Sequence, residues 1–133
     1  MLPLEFVVLG TPISFQGSSA AKRFWQQRVR EAAQDTPNRP VASAVDVVLR
    51  IAYFYEYAPA ADLDNIVKPI QDALKGISFD DDIRVVDLIA SMRRKAVSDR
   101  IPSATTALAR GLASASDFVH IVVDHSSRIE ALR

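Results

Sequence analysis

Six aspartates fall within residues 62–82, in the stretch DLDNIVKPIQDALKGISFDDD. Carboxylates clustered this way repel one another and cost stability unless something positive sits among them. Asp62 and Asp64 stand two apart where a strand gives way to a helix. Extended backbone carried through them points both carboxylates the same way. Asp81 and Asp82 follow the helix, just ahead of the next strand, and a helix–turn–strand return can bring them back near Asp62 and Asp64. Three converging carboxylates make an oxygen-rich site for a hard cation. Magnesium suits it, because it takes few protein carboxylates and completes its shell with water and substrate phosphates. An ion held there neutralises a phosphodiester, lowers the pKa of an attacking water and stabilises the leaving oxygen. Lys68, one helical turn after Asp64, can reach the same place and meet the charge that builds on the phosphate. Asn65 can orient a carboxylate or a water, or simply cap the helix.

Plainer roles compete for the same residues. Asp64 or Asn65 can serve only as an N-cap, where an acid suits the helix dipole. Asp64–Lys68 and Lys68–Asp72 are i,i+4 pairs of the kind that stabilise helices modestly. The DDD run can be a polar turn.

The elements that position these residues are legible in the hydropathy pattern. LEFVVL (4–9) reads as a strand ended by Gly10 and Pro12. Residues 18–34 read as a helix capped by Ser18 or Ser19, with an apolar stripe of Ala21, Trp25, Val29 and Ala32. Trp25 is expected in the core. DTPNRP (35–40) is rich in turn formers. Residues 44–57 alternate as a strand, with Val45, Val47, Leu49, Ile51, Tyr53, Tyr55 and Tyr57 on one face. A second helix spans about 64–75, with Ile66, Ile70, Ala73 and Leu74 as its core stripe and Asn65, Lys68, Asp72 and Lys75 opposite. Gly76 stops it, and Pro69 sits about one turn in, where a local kink is expected. Residues 85–95 alternate again, Val86, Leu88, Ala90 and Met92 forming one face. Residues 103–116 are a short helix or an ordered loop, 117–125 a last strand, and 126–133 a surface or frayed tail. His120 and His125, on or just after that strand, are expected to be structural or surface residues. The order implies an α/β or α+β domain, with a small mixed sheet and two main helices.

The 133 residues fit a single domain over 1–133 with one core. With no cysteine, disulfides and zinc–thiolate sites are excluded. No apolar run is long enough for a bilayer, and the N-terminus lacks a signal peptide's basic start and cleavage site, so a soluble cytoplasmic protein without membrane partners is expected. A net charge of zero argues mildly against binding nucleic acid by bulk attraction. The charges are unevenly placed, however. Lys22, Arg23, Arg28 and Arg30 form one basic run, and Arg93, Arg94 and Lys95 another. Both are candidates for holding phosphates beside a carboxylate site that itself repels DNA; solvated surface is the alternative.

DLDNIVKPIQDALKGISFDDDIRVVD resembles the signature of the RusA family of Holliday junction resolvases. The matching elements are Asp62, Asp64, Asn65, Lys68, Pro69, Asp72–Ala73–Leu74, Gly76 and Asp81–Asp82. GTPISFQ is similar, loosely, to that family's N-terminal segment, whereas 98–116 has no clear counterpart. The resemblance implies a RusA-like fold and a small homodimeric, metal-dependent crossover junction endodeoxyribonuclease that makes paired cuts in four-way DNA. It maps the essential acids to Asp62, Asp64 and Asp82 and the essential lysine to Lys68. Asp72 and Asp81 become supporting neighbours, along with Asn65. Magnesium or manganese is the expected cofactor. A two-fold dimer suits a junction, which presents two symmetric strands. The alternatives are a nuclease selective for other branched DNA, a catalytically inert junction-binding protein, and a structural domain whose aspartates only cap and solubilise.

Overall fold

The computed structural model describes residues 3–37, 42, 44–97 and 104–126. Strand β1 spans Leu4–Leu9, helix α1 Ser19–Gln34, strand β2 Val47–Tyr55, helix α2 Leu63–Leu74, strand β3 Val85–Arg94, helix α3 Thr106–Ala113 and strand β4 Phe118–His125. Short 3-10 turns cover Asp82–Arg84 and Lys95–Val97. The four strands form one mixed sheet in the order β1-β4-β2-β3. Among the described residues, β2 and β3 are the only strands that run parallel, and the other neighbours are antiparallel. A parallel pair needs a crossover between its strands, and α2 is that crossover. This is the expected α+β arrangement, with α3 as a third, shorter helix.

α1 begins at Ser18, whose hydroxyl accepts from the Ala21 N–H at 3.2 Å. Its buried stripe is Trp25, Val29 and Ala33. The stripe on α2 is as expected: Ile66, Ile70, Ala73 and Leu74 are fully buried. Burying each of the larger three stabilises the fold by about 1.5–3 kcal/mol. These helices cover one face of the sheet, against Leu4, Phe6 and Val8 of β1, Leu49, Ile51 and Tyr53 of β2, and Val119, Ile121 and Val123 of β4. The other face carries a smaller cluster of Val7, Phe54 and Phe118, packed against Leu108 and Leu112 of α3. The Phe54 and Phe118 rings stack at 4.7 Å. Gly111 lets α3 lie directly on Phe118, because a Cβ there would stand 2.4 Å from the ring.

Three expectations are adjusted. β2 is shorter than 44–57, with Val45 and Tyr57 outside it and exposed. Its mixed second face is partly core, because α3 covers Phe54. On β3 the alternation shifts at its start: Val47 pairs with Val85 but Val48 with Asp87, so one residue bulges out. From there Leu88, Ala90 and Met92 share the helix-covered face with Leu49, Ile51 and Tyr53. Residues 38–40 of the turn-rich stretch, 98–103, and the tail beyond Ser126 lie outside the described residues.

Candidate active site

The segment that carries Asp62 to its place is fixed from beneath by Tyr53. This tyrosine is fully buried. Its hydroxyl donates to Asp117 Oδ2 at 2.6 Å and accepts from the Ala60 N–H at 3.2 Å. Asp117 Oδ1 in turn accepts from the Glu56 N–H at 2.9 Å. Burial, and then the bond to Asp117, push the Tyr53 phenol far above its usual range, so it stays a neutral donor. Residues 56–60 are thereby tied at one end to Asp117 and at the other to Tyr53.

Asp62 occupies the N-cap position of α2. Its carbonyl accepts from the N–H groups of Asn65 and Ile66, at 3.0 and 3.2 Å, while its side chain makes no capping bond. Asp64 lies exposed in the first turn, at the positive end of the helix dipole. One turn on, Lys68 Nζ pairs with Asp72 Oδ1 at 2.7 Å. The bond to Asp72 raises the Lys68 pKa; partial burial opposes this, and the charges of Asp72 and Asp82 add to the rise. Asp82 therefore lies within electrostatic reach of Lys68. Asp82 Oδ1 is shielded from solvent and has no hydrogen-bond partner among the described residues. An acceptor left in that state is costly until a cation or donor meets it.

Asp64, Lys68 and Gln71 of α2 face Leu88 and Ala90 of β3 across a groove of about 540 Å³. Its floor is apolar and its α2 rim is charged.

The return of the chain accounts for how the acids are distributed. Asp62 and Asp64 stand at the start of α2, a 12-residue helix roughly 18 Å long. β3 begins where Val85 pairs with Val47, the first residue of β2, so Asp82 arrives at the opposite end of the crossover. The long side chain of Lys68 lies between them. Among the described residues no three Asp, Glu or His side chains are gathered closely enough to hold one metal ion. The carboxylates are spread along α2 and not brought to a single point. Asp81 supports Asp82 locally: its Oδ1 accepts from the Asp82 N–H at 2.6 Å and lies 3.7 Å from Lys75 Nζ. Arg84 braces the same turn, donating to the Ala44 carbonyl at 2.8 Å and approaching Asp46 and Asp80 at 3.3 and 3.5 Å.

The donor set still fits a hard divalent cation. Magnesium is commonly held by one or two carboxylates together with substrate phosphates, without a closed protein cage. Asp62, uncapped, and Asp64, two residues on in the first turn of α2, are oxygen donors of that kind.

The basic residues divide. Gln26 donates to the Pro69 carbonyl at 3.0 Å, so that side of α1 faces α2. Lys22, Arg23 and Arg30 lie three or four residues from Gln26 and share its side. Arg28 is on another side, donating to the Leu9 carbonyl. Arg93 and Arg94 are exposed at the end of β3. Lys95 is only 8% exposed. Its ammonium donates to the carbonyls of Ser114 and Ser116 at 2.7 and 2.8 Å and approaches Glu56 at 3.4 Å, so it braces the entry to β4 from inside. Trp25 is core, as expected. His120 pairs with Glu5 at 2.6 Å on the face away from α1 and α2. Tyr53, Asp117, Gln26 and Arg84 support the site without having stood out in the sequence. Their roles come from contacts across 38 to 64 positions, for which no local signal exists.

The fold and groove define a small α+β domain with a carboxylate–lysine site on its crossover helix. A family model for the endodeoxyribonuclease RusA matches residues 16–105, more than half of the chain. The protein belongs to the RusA endodeoxyribonuclease family, which acts on Holliday junction DNA. A comparison with curated proteins finds no match. Among the described residues no helix is long and apolar enough to cross a membrane.

Proposed function

We propose that this protein is a metal-dependent resolvase, hydrolysing one phosphodiester in each of two opposed strands of a four-way junction. The observation that carries this reading is the position of Lys68. It is paired with Asp72, acted on by Asp82, and set beside Asp64 in one groove of a RusA-family chain. Asp62 and Asp64 at the start of α2 would hold magnesium or manganese, which when bound supplies charge neutralisation for the phosphodiester and a water of lowered pKa; Asp82, at the other end of the crossover, acts through the charge of Lys68. Lys68 remains an ammonium and donates to a non-bridging phosphate oxygen, where charge grows as water adds to phosphorus and the ester oxygen departs. Asp72 holds that ammonium in place. Lys22, Arg23 and Arg30 on the flank of α2, with Arg93 and Arg94, hold neighbouring phosphates.

The working unit in this reading is a homodimer. β3 is an edge strand with Val86, Leu88 and Ile89 exposed, and an exposed apolar edge is a template for pairing. Antiparallel self-pairing about Ala90 places Asp87 opposite the second copy's Arg93 and Leu88 opposite its Met92, joining unlike charges on one face and apolar groups on the other.

Incubation of a synthetic four-way junction with and without magnesium or manganese, beside a linear duplex and a flap, tests the reading. Paired symmetric cuts confined to the junction and dependent on metal are expected. Equal cutting of flaps would make it a general branched-DNA nuclease, and binding without cleavage would make it an inert junction binder.

A further inference from the structure

Pro69 has no N–H, so the Asn65 carbonyl four residues earlier loses its helical partner. The Phe15 N–H occupies that carbonyl at 2.7 Å. The proline in α2 thus creates a docking point, and the segment before α1 is fastened there, one residue from Asp64. Lys22 adds a second tie, its Nζ donating to the Phe15 carbonyl at 3.1 Å and lying 4.9 Å from the centroid of the Phe15 ring. Despite two backbone anchors Phe15 remains 44% exposed. A large aromatic held by its backbone, left partly in water and carrying a cation on its face is poorly explained by packing. Its chemistry suits a flat, electron-rich ligand attached to an anion.

We propose that Phe15 and Lys22 form a nucleotide subsite beside α2, in which the Phe15 ring stacks an unpaired or splayed nucleobase and Lys22 meets the adjoining phosphate. This rests on the nuclease reading and deepens it, assigning recognition of the branch, where bases leave the helical stack, to a residue outside the acidic motif. Stacking on an aromatic is tolerant of base identity, so the subsite selects for DNA shape. Phe15 contributes to binding and branch selectivity and takes no part in bond breaking.

The test uses the full-length protein and a four-way junction carrying 2-aminopurine at single positions next to the branch, without divalent metal. The parent is expected to change the fluorescence at one or two of these positions. Phe15→Ala should remove that change and weaken junction binding about tenfold. Phe15→Leu, which keeps apolar bulk but has no ring, should behave like Phe15→Ala, and Phe15→Trp should restore both signals. Both backbone anchors survive these substitutions, and circular dichroism and thermal melts will confirm folding. Unchanged fluorescence and affinity in Phe15→Ala, with cleavage by the parent intact, would overturn the subsite and leave the nuclease reading standing. Full rescue by Phe15→Leu would also overturn it, reducing Phe15 to a packing residue. A parent that neither binds nor cuts any DNA would overturn both.

Discussion

The Tyr53 hydroxyl donates a 2.6 Å hydrogen bond to Asp117, 64 positions further along the chain. The pair joins the end of β2 to the start of β4 and fixes the segment leading to Asp62. Tyr53→Phe leaves the Ala60 N–H without its acceptor and Asp117 Oδ2 without its donor. A loss of about 1–2 kcal/mol in urea unfolding is expected, with a fall in cleavage rate because Asp62 is no longer held. The alkaline behaviour follows from the raised phenol pKa. The unfolded chain ionises this tyrosine near pH 10 and the folded chain does so only higher. The stabilisation is therefore complete below about pH 10 and declines above it. Tyr53→Phe should lack this part of the alkaline destabilisation; identical slopes above pH 10 would contradict the assignment.

Lys68 owes its raised pKa first to Asp72. Asp72→Asn should therefore lower the Lys68 pKa and move the alkaline limb of the cleavage profile to lower pH. Both side chains are substantially exposed, at 49% and 36%, so stability should change by less than about 1 kcal/mol. Lys68→Ala should reduce kcat more than junction affinity, since its contact strengthens only as charge builds on the phosphate. Equal losses in rate and affinity would mark Lys68 as a phosphate-holding residue.

A lysine at Ile89, exposed on the β3 edge, would stand opposite the second copy's Ser91 and diagonal to both the same substitution and Arg93 in that copy, adding like charge across a self-paired strand. Ile89→Lys is expected to shift sedimentation from dimer to monomer, with little change in monomer stability, and to uncouple the paired cuts. A parent dimer left intact by the substitution would place the interface elsewhere.

Local pattern carried much of this fold. The α2 stripe of Ile66, Ile70, Ala73 and Leu74, a serine cap on α1 at Ser18 or Ser19, and the β1 boundaries follow from residue spacing and termini, and all are present, the cap at Ser18. The acidic motif names candidate site residues without fixing their distances. A helix–turn–strand return can bring Asp81 and Asp82 near Asp62 and Asp64; instead the β2–β3 register delivers them to the other end of α2, which local pattern does not encode. Burial of Lys95 was hidden for a related reason. In RRK it reads as surface charge, and only the packing of the α3–β4 connection supplies the carbonyls that surround it. Pro69 reads as a helix irregularity; the Asn65 carbonyl it frees is taken by the Phe15 N–H, from a segment with no periodicity of its own.

Cleavage and binding of a four-way junction by Asp64→Asn, measured beside the parent in magnesium, test the central claim most directly. Loss of cleavage with binding retained or tightened is the expected result, because the substitution removes a proposed metal-holding group and one negative charge from the groove proposed to receive the phosphodiester. Cleavage at the parental rate would contradict the carboxylate–metal site.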